Sequence, residues 1–203
     1  MNAPVYLIDD DEAVRRALAL LLSTVDIEVT TFADPKTFLS RLPSLDPGCL
    51  IIDIRMPEIS GLRLQESLGE RAIDWPVIII SGHGDIEACR RAFRNGAIDF
   101  LSKPIDEDDL IETIQRAQSK LGALLNVKAQ HQETAALLAS LTPRERDVLS
   151  RVAAGFSTRD IAIALDVSPR TIESHRASLG AKLGTTSQAE MTRLWLEGQA
   201  LTP

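Results

Sequence analysis

The sequence predicts a doubly wound α/β domain built on a five-stranded parallel sheet, followed by an all-α domain of four helices. Three observations carry this. Short apolar runs alternate with helix-period segments as far as residue 120 or so, several of those runs end in a polar or charged residue, and four helix-start signatures succeed one another between residues 141 and 203. Alternating strand and helix patterns are the mark of a parallel sheet. A chain of 203 residues has room for two ordinary domains, each burying a core of its own.

Val5-Tyr6-Leu7-Ile8 is the first strand; Asp9-Asp10-Asp11-Glu12 follows it, and Ala13 to Leu22 repeats as a helix. Residues 27–31 alternate as a half-buried strand, and Asp34-Pro35 supplies a cap and a first-turn proline for a helix through Arg41. Leu50 to Asp53 is the third strand. Met56-Pro57 and then Gly61 force a turn, which places Asp53 at the carboxyl end of a buried strand and starts a helix from Ser60 to about Gly69. Trp75 to Gly82 is the fourth strand with its turn, and a helix from Asp85 to Asn95 stops at Gly96. Residues 97–101 form the fifth strand, with a helix from near Asp106.

In such a sheet all carboxyl ends lie on one edge, where ligands bind. Asp9, Asp10, Asp53, Ser81 and Lys103 all fall just past strand ends. Neighbouring carboxylates repel, and oxygen-liganded Mg²⁺ relieves that repulsion. A metal, a lysine and a hydroxyl around one carboxylate form a site for a phosphoryl group, with Asp53 as the in-line nucleophile. Taken alone, Asp9 to Asp11 is a solvated helix cap, Ser81 turn chemistry, Phe100 a core residue and His83 a lone loop histidine; it is the combination that points to chemistry. Cys49 and Cys89 lack metal-ligand spacing and are expected to be small buried hydrophobes.

Beyond Asp106, the spacing of Leu110, Ile114, Ala117, Leu121 and Leu124 fits either the last helix of the α/β domain continuing into a linker or a short dimer-forming seam, interrupted at Gly122. The expected domains are 1–122 and 140–203, with a helical linker at 123–139. In the second, Thr142-Pro143-Arg144-Glu145, Ser157 to Asp160, Ser168-Pro169 and Ser187 to Glu190 are helix starts, and Gly155 and Gly184 are helix stops. Asp166-Val167-Ser168 is a turn of helix-turn-helix length. The third helix turns Ile172, Leu179 and Leu183 inward and leaves Arg170, Thr171, Glu173, Ser174, His175, Arg176, Ala177 and Lys182 outside, a surface that can meet phosphates and enter a major groove.

Charge divides the chain. Residues 1–122 hold 21 acids and 13 bases, net −8, whereas 140–203 hold 7 acids and 8 bases, net +1. The acidic half argues against nucleic acid there, and the mild basicity of the other does not by itself establish a DNA surface. No apolar run approaches the roughly 18 residues of a membrane span. A cytosolic protein with no membrane partner is expected.

Two resemblances sharpen this. The Asp pair after strand one, Asp53-x-Arg55-Met56-Pro57-x-x-x-Gly61, the hydroxyl at Ser81 and Phe100-x-x-Lys103-Pro104 resemble the flavodoxin-like receiver domain of response regulators over residues 4 to about 120. The resemblance implies that Asp53 takes phosphate from a sensor histidine kinase, that Asp9 and Asp10 bind Mg²⁺ with Asp53 and the Arg55 carbonyl, that Ser81 and Phe100 switch together, that Lys103 pairs with the phosphate, and that Lys103-Pro104 is cis. Leu141-Thr142-x-Arg144-Glu145, Ile161-Ala162, Ser168-x-Arg170-Thr171-Ile172-Glu173-x-His175-Arg176 and Lys182-Leu183 resemble the LuxR-type, or GerE-type, DNA-binding domain over 141–198.

Together they are similar to the FixJ/NarL class, nearest its FixJ branch by Gly82-His83-Gly84-Asp85. The class implies base reading from Glu173, Ser174 and Ala177, with Arg170, Thr171, His175, Arg176 and Lys182 as backbone contacts or supports. It also implies phosphorylation-driven homodimers through Asp85 to Leu101, binding of double-stranded DNA at an inverted repeat, and RNA polymerase as a further partner. Gly180 departs from the class, and an acidic reader at 173 favours cytosine contacts. An aspartyl phosphatase would need a second Asp where Arg55 stands, so no enzyme is expected beyond self-phosphorylation and slow self-dephosphorylation. A phosphate-independent DNA binder is a third reading, opposed by the intact Asp9, Asp10, Asp53 and Lys103 set.

Overall fold

The computed structural model describes residues 3–82 and 86–200. The chain divides into two compact units, Met1–Leu124 and Leu125–Pro203. The first holds β1 (Val5–Ile8), α1 (Glu12–Ser23), β2 (Val29–Phe32), α2 (Pro35–Arg41), β3 (Cys49–Asp53), α3 (Gly61–Glu70), β4 (Val77–Ser81), α4 (Ile86–Arg94), β5 (Asp99–Ser102) and the start of α5 (Glu107–Ala139). All pairings are parallel, in the order β2-β1-β3-β4-β5.

The apolar runs of the central strands are continuous because both faces of the sheet are covered. Tyr6, Ile8, Leu50, Ile52 and Ile79 point to one face, against Phe38 of α2, Leu64 and Leu68 of α3 and Ala92 of α4. Val5, Leu7, Cys49, Ile51, Ile78 and Ile80 point to the other, against Leu18 and Leu22 of α1 and Leu110, Ile114 and Ala117 of α5. The cap expected at Asp34 closes, accepting from the Thr37 N–H at 2.8 Å, and Ser60, where the third helix was expected to start, caps it by accepting from the Arg63 N–H at 3.4 Å.

Several boundaries differ from the expectation. β2 starts two residues later, at Val29, and β5 spans Asp99–Ser102 rather than 97–101. The positive φ of Gly96 ends the preceding helix as expected, but Ala97 and Ile98 still belong to the connection. Gly122 does not break α5, which runs through 33 residues; one glycine costs a helix only about 1 kcal/mol. The first four seam residues, Leu110, Ile114, Ala117 and Leu121, are buried, whereas Leu124 is exposed. His83 and Asp85 lie outside the described residues. Cys49 is buried, which pushes its thiol up to about 12, and Cys89 is half-buried.

In the second unit α6 (Pro143–Ala153), α7 (Thr158–Ala164), α8 (Pro169–Leu183) and α9 (Gln188–Ala200) surround a core of Val148, Leu149, Val152, Ile161, Ile172, Leu179, Leu183, Met191 and Leu194. The capping boxes of α6 and α7 both form, and Gly155 and Gly184 have the positive φ that ends a helix. The box expected at Ser187 does not: the Ser187 N–H donates to Thr185 Oγ1 at 3.1 Å, while the Glu190 carboxylate is taken by Arg193 at 2.6 Å. Arg193 lies one turn along the same helix and offers a charged donor, which outcompetes a neutral N–H. No helix among the described residues is long and apolar enough to cross a membrane.

Candidate functional site

The carboxyl edge of the sheet brings three of the expected groups into contact. Lys103 Nζ lies 2.7 Å from Asp9 Oδ2 and 2.6 Å from Asp53 Oδ1. Asp9 is fully buried and Asp53 is 4 % exposed. The remaining oxygens are also held: Asp9 Oδ1 accepts from the Asp11 N–H at 2.8 Å, and Asp53 Oδ2 from the Arg55 N–H at 2.5 Å. Partial burial opposes the charge on Lys103, yet hydrogen bonds and attraction from Asp53 and Asp9 outweigh it and hold its ammonium above the ordinary lysine value.

Local structure explains this placement. Lys103 N–H donates to Ser81 O at 2.7 Å, tying the end of β5 to that of β4, and Lys103-Pro104 is cis. Ser81 is buried at the end of β4, and Phe100, in register with Ile79, is half-buried against the first core. Arg55 is exposed.

Of the three carboxylates expected to share a cation, Asp9 and Asp53 are buried and Asp10 is exposed, and among the described residues no three His, Cys, Asp or Glu side chains are gathered to hold a metal. The physical reason is that Lys103 already bridges Asp9 and Asp53, while Asp11 turns back to cap α1, accepting from the Ala13 N–H at 2.8 Å. The donor chemistry still fits Mg²⁺, a hard cation that takes one or two carboxylates and keeps several waters.

Two residues at this edge escaped the sequence reading. Arg15 Nη1 donates to the Asp9 carbonyl at 2.6 Å, fixing the backbone under the site. Gly61 is expected from sequence as a turn former and part of the receiver motif, with no sign of its steric role: a Cβ there would sit 2.1 Å from the Asp53 carbonyl oxygen. A contact between residues eight apart leaves no periodic trace in the sequence.

In the second unit, Arg170, Glu173, Ser174 and Ala177 are exposed at i, i+3, i+4 and i+7 and so share one face of α8. Thr171, His175 and Arg176 flank it half-buried, and Thr171 Oγ1 meets Ser168 Oγ at 2.8 Å. Gly180 is buried where a Cβ would lie 3.3 Å from the Thr185 carbonyl, which accounts for a small residue in mid-helix. Lys182 does not stand free on the outer surface as expected: its Nζ is 2.7 Å from Glu145 Oε2, because Glu145 is a buried carboxylate in need of a cation. Hydrogen bonds from Lys182, Ser178 and Thr142 hold Glu145 down to about 2.

A doubly wound receiver with a buried Asp-Lys-Asp edge, joined to a helix-turn-helix unit, defines the class. Residues 5–115 match the response regulator receiver domain and residues 139–195 the bacterial regulatory proteins of the luxR family. The chain belongs to the response regulators with a LuxR-type DNA-binding domain, a family of two-component transcriptional regulators and not of enzymes.

Among its relatives, the transcriptional regulatory protein FixJ of Bradyrhizobium diazoefficiens is 40% identical over 190 residues, covering 94% of this chain and 93% of that one. TdiR of Thauera aromatica, also a transcriptional regulatory protein, is 35% identical over 97% of this chain and 86% of that one. Of the solved structures, the response regulator StyR superposes with a TM-score of 0.88 at 34% identity, covering 96% and 98% of the two chains. Full-length FixJ from B. japonicum gives 0.60 at 38% identity over 98% of each.

Proposed function

We propose that Asp53 is the phosphoacceptor of this regulator and that its phosphorylation by a cognate histidine kinase switches DNA binding. The observation that carries the reading is Lys103 Nζ within 2.7 Å of both Asp9 and Asp53 at a strand end, where a nucleophilic carboxylate and a fixed cation stand side by side. An Asp53 oxygen attacks phosphorus, the bond to the donor breaks, and Lys103 neutralises charge on the transferred group. Asp9, Asp10, Asp53 and the Arg55 carbonyl would hold Mg²⁺. Bound there, the ion would neutralise charge on the phosphoryl oxygens.

Ser81 and Phe100, at the end of β4 and in β5, are the residues through which the change spreads. The surface it releases is α4 with β5, where Ile86 and Phe93 expose apolar side chains at i and i+7; a homodimer through that face would present paired helix-turn-helix domains to an inverted repeat. On α8, Glu173, Ser174 and Ala177 face bases, Arg170, Thr171, His175 and Arg176 meet the backbone, and Lys182 serves as a support.

Intact mass after incubation with Mg²⁺ and a small phosphoryl donor tests the assignment. Wild type is expected to gain one phosphoryl group and Asp53→Asn none. Equal gain in both would move the acceptor elsewhere.

A further inference from the structure

Glu145 opens α6 in a capping box, a motif whose work is usually confined to its own helix end. The box of α7 behaves that way: Asp160 is exposed, and its carboxylate accepts from the Ser157 N–H at 3.2 Å and the Ser157 hydroxyl at 2.5 Å. Glu145 differs. It is 4 % exposed, and its carboxylate is shared between helices. Oε2 accepts from the Thr142 N–H at 2.8 Å, the Thr142 hydroxyl at 2.9 Å and Lys182 Nζ at 2.7 Å, while Oε1 accepts from the Ser178 hydroxyl at 2.6 Å. Ser178 and Lys182 are i and i+4 on α8, about a third of a turn around the helix from the exposed 170-173-174-177 face. Lys182 also reaches the Ser140 carbonyl at 3.3 Å.

The neighbouring Arg144 points to the other helix. Its Nη2 donates at 2.7 Å to the carbonyl of Leu165, the residue that ends α7 and begins the turn. That carbonyl is one of the groups a helix end leaves without an internal partner. One turn of α6 therefore grips the helix-turn-helix on both sides of its turn. Because both grips are charge-assisted, they fix angle and register more tightly than apolar contacts do.

We infer that Arg144 and Glu145 are positioning residues for DNA reading, holding α7 and α8 in the pose that aligns the Arg170, Glu173, Ser174 and Ala177 face with the groove, and that Lys182 is an internal strut of this clamp rather than a phosphate contact. The inference rests on the proposed docking of α8. It is independent of Asp53.

The test uses the full-length protein, a duplex selected from a random pool by the wild type, and a random duplex of equal length. Glu145→Gln is expected to weaken binding to the selected duplex about tenfold, the size of one lost base-pair contact, with random-duplex affinity unchanged. Lys182→Gln is expected to leave the salt slope unmoved, whereas Arg170→Ala lowers it by about 1. Equal weakening on both duplexes by Glu145→Gln would reduce Glu145 to a folding role, and a slope lowered by Lys182→Gln would make that lysine a phosphate contact; either overturns the inference. A slope unmoved by Arg170→Ala would overturn the underlying docking of α8 and leave the clamp contacts as they stand.

Discussion

Replacing Lys103 with alanine is expected to destabilise the receiver by about 3 kcal/mol in metal-free buffer, because it leaves Asp9 and Asp53 facing each other without their cation. Both carboxylates are buried, so the loss is far larger than that of a surface ion pair. The pH dependence follows from the direction of the Lys103 shift. Its value is raised on folding, so its contribution is complete below the ordinary lysine value of 10.5 and disappears only as pH rises through the higher folded value. The gap between wild type and variant should therefore be full at neutral pH and close in strong alkali. Added Mg²⁺ should recover part of it, since the carboxylates suit that ion. Urea unfolding with and without Mg²⁺ measures this, and an unchanged midpoint for Lys103→Ala would show that the bridge contributes nothing.

The second large effect is expected at Gly61. An alanine Cβ would lie 2.1 Å from the Asp53 carbonyl oxygen and 2.8 Å from Ile52 Cγ2. The nearest obstacle is backbone, which cannot rotate away as a flexible side chain would, so β3 and the start of α3 must separate. A cost of roughly 3 kcal/mol is expected, at the upper end for overpacking a core. Because the displaced carbonyl belongs to Asp53, the proposed phosphoacceptor, phosphoryl uptake should slow as well. Gly69→Ala, in the same helix with nothing within 4 Å of the added carbon, is the control and should be neutral or stabilising by up to about 1 kcal/mol. Similar losses at both positions would show that the effect is not steric.

Much of the receiver was legible because its signals are strong and local. Strands buried on both faces read as unbroken apolar runs, and a parallel sheet must gather their carboxyl ends, so Asp9, Asp53 and Lys103 could be placed together across 94 residues of chain. β5 was blurred because three of its four residues are half-buried and one of them is Asp99, whose Oδ2 accepts from both Arg116 and Thr113. The passage of α5 through Gly122 was not legible, since a local cost of about 1 kcal/mol does not decide the fate of a long helix.

Competition between partners was the other blind spot. Glu145 was visible as a cap, but its sharing with Ser178 and Lys182 joins residues 33 and 37 apart. Glu190 had the right spacing for a capping box, yet Arg193 claimed it. Spacing identifies which groups can meet; which meeting wins depends on burial and charge.

The central claim is that phosphorylation at Asp53 controls DNA binding. The most direct measurement is the affinity of full-length wild type and Asp53→Asn for a duplex selected by the phosphorylated protein, at one salt concentration, with Mg²⁺ and with or without a phosphoryl donor. The donor is expected to tighten wild-type binding about tenfold or more, within the usual range of allosteric coupling, and to leave Asp53→Asn unmoved. Equal affinity of wild type with and without donor, after mass analysis has shown the phosphoryl group in place, would contradict it.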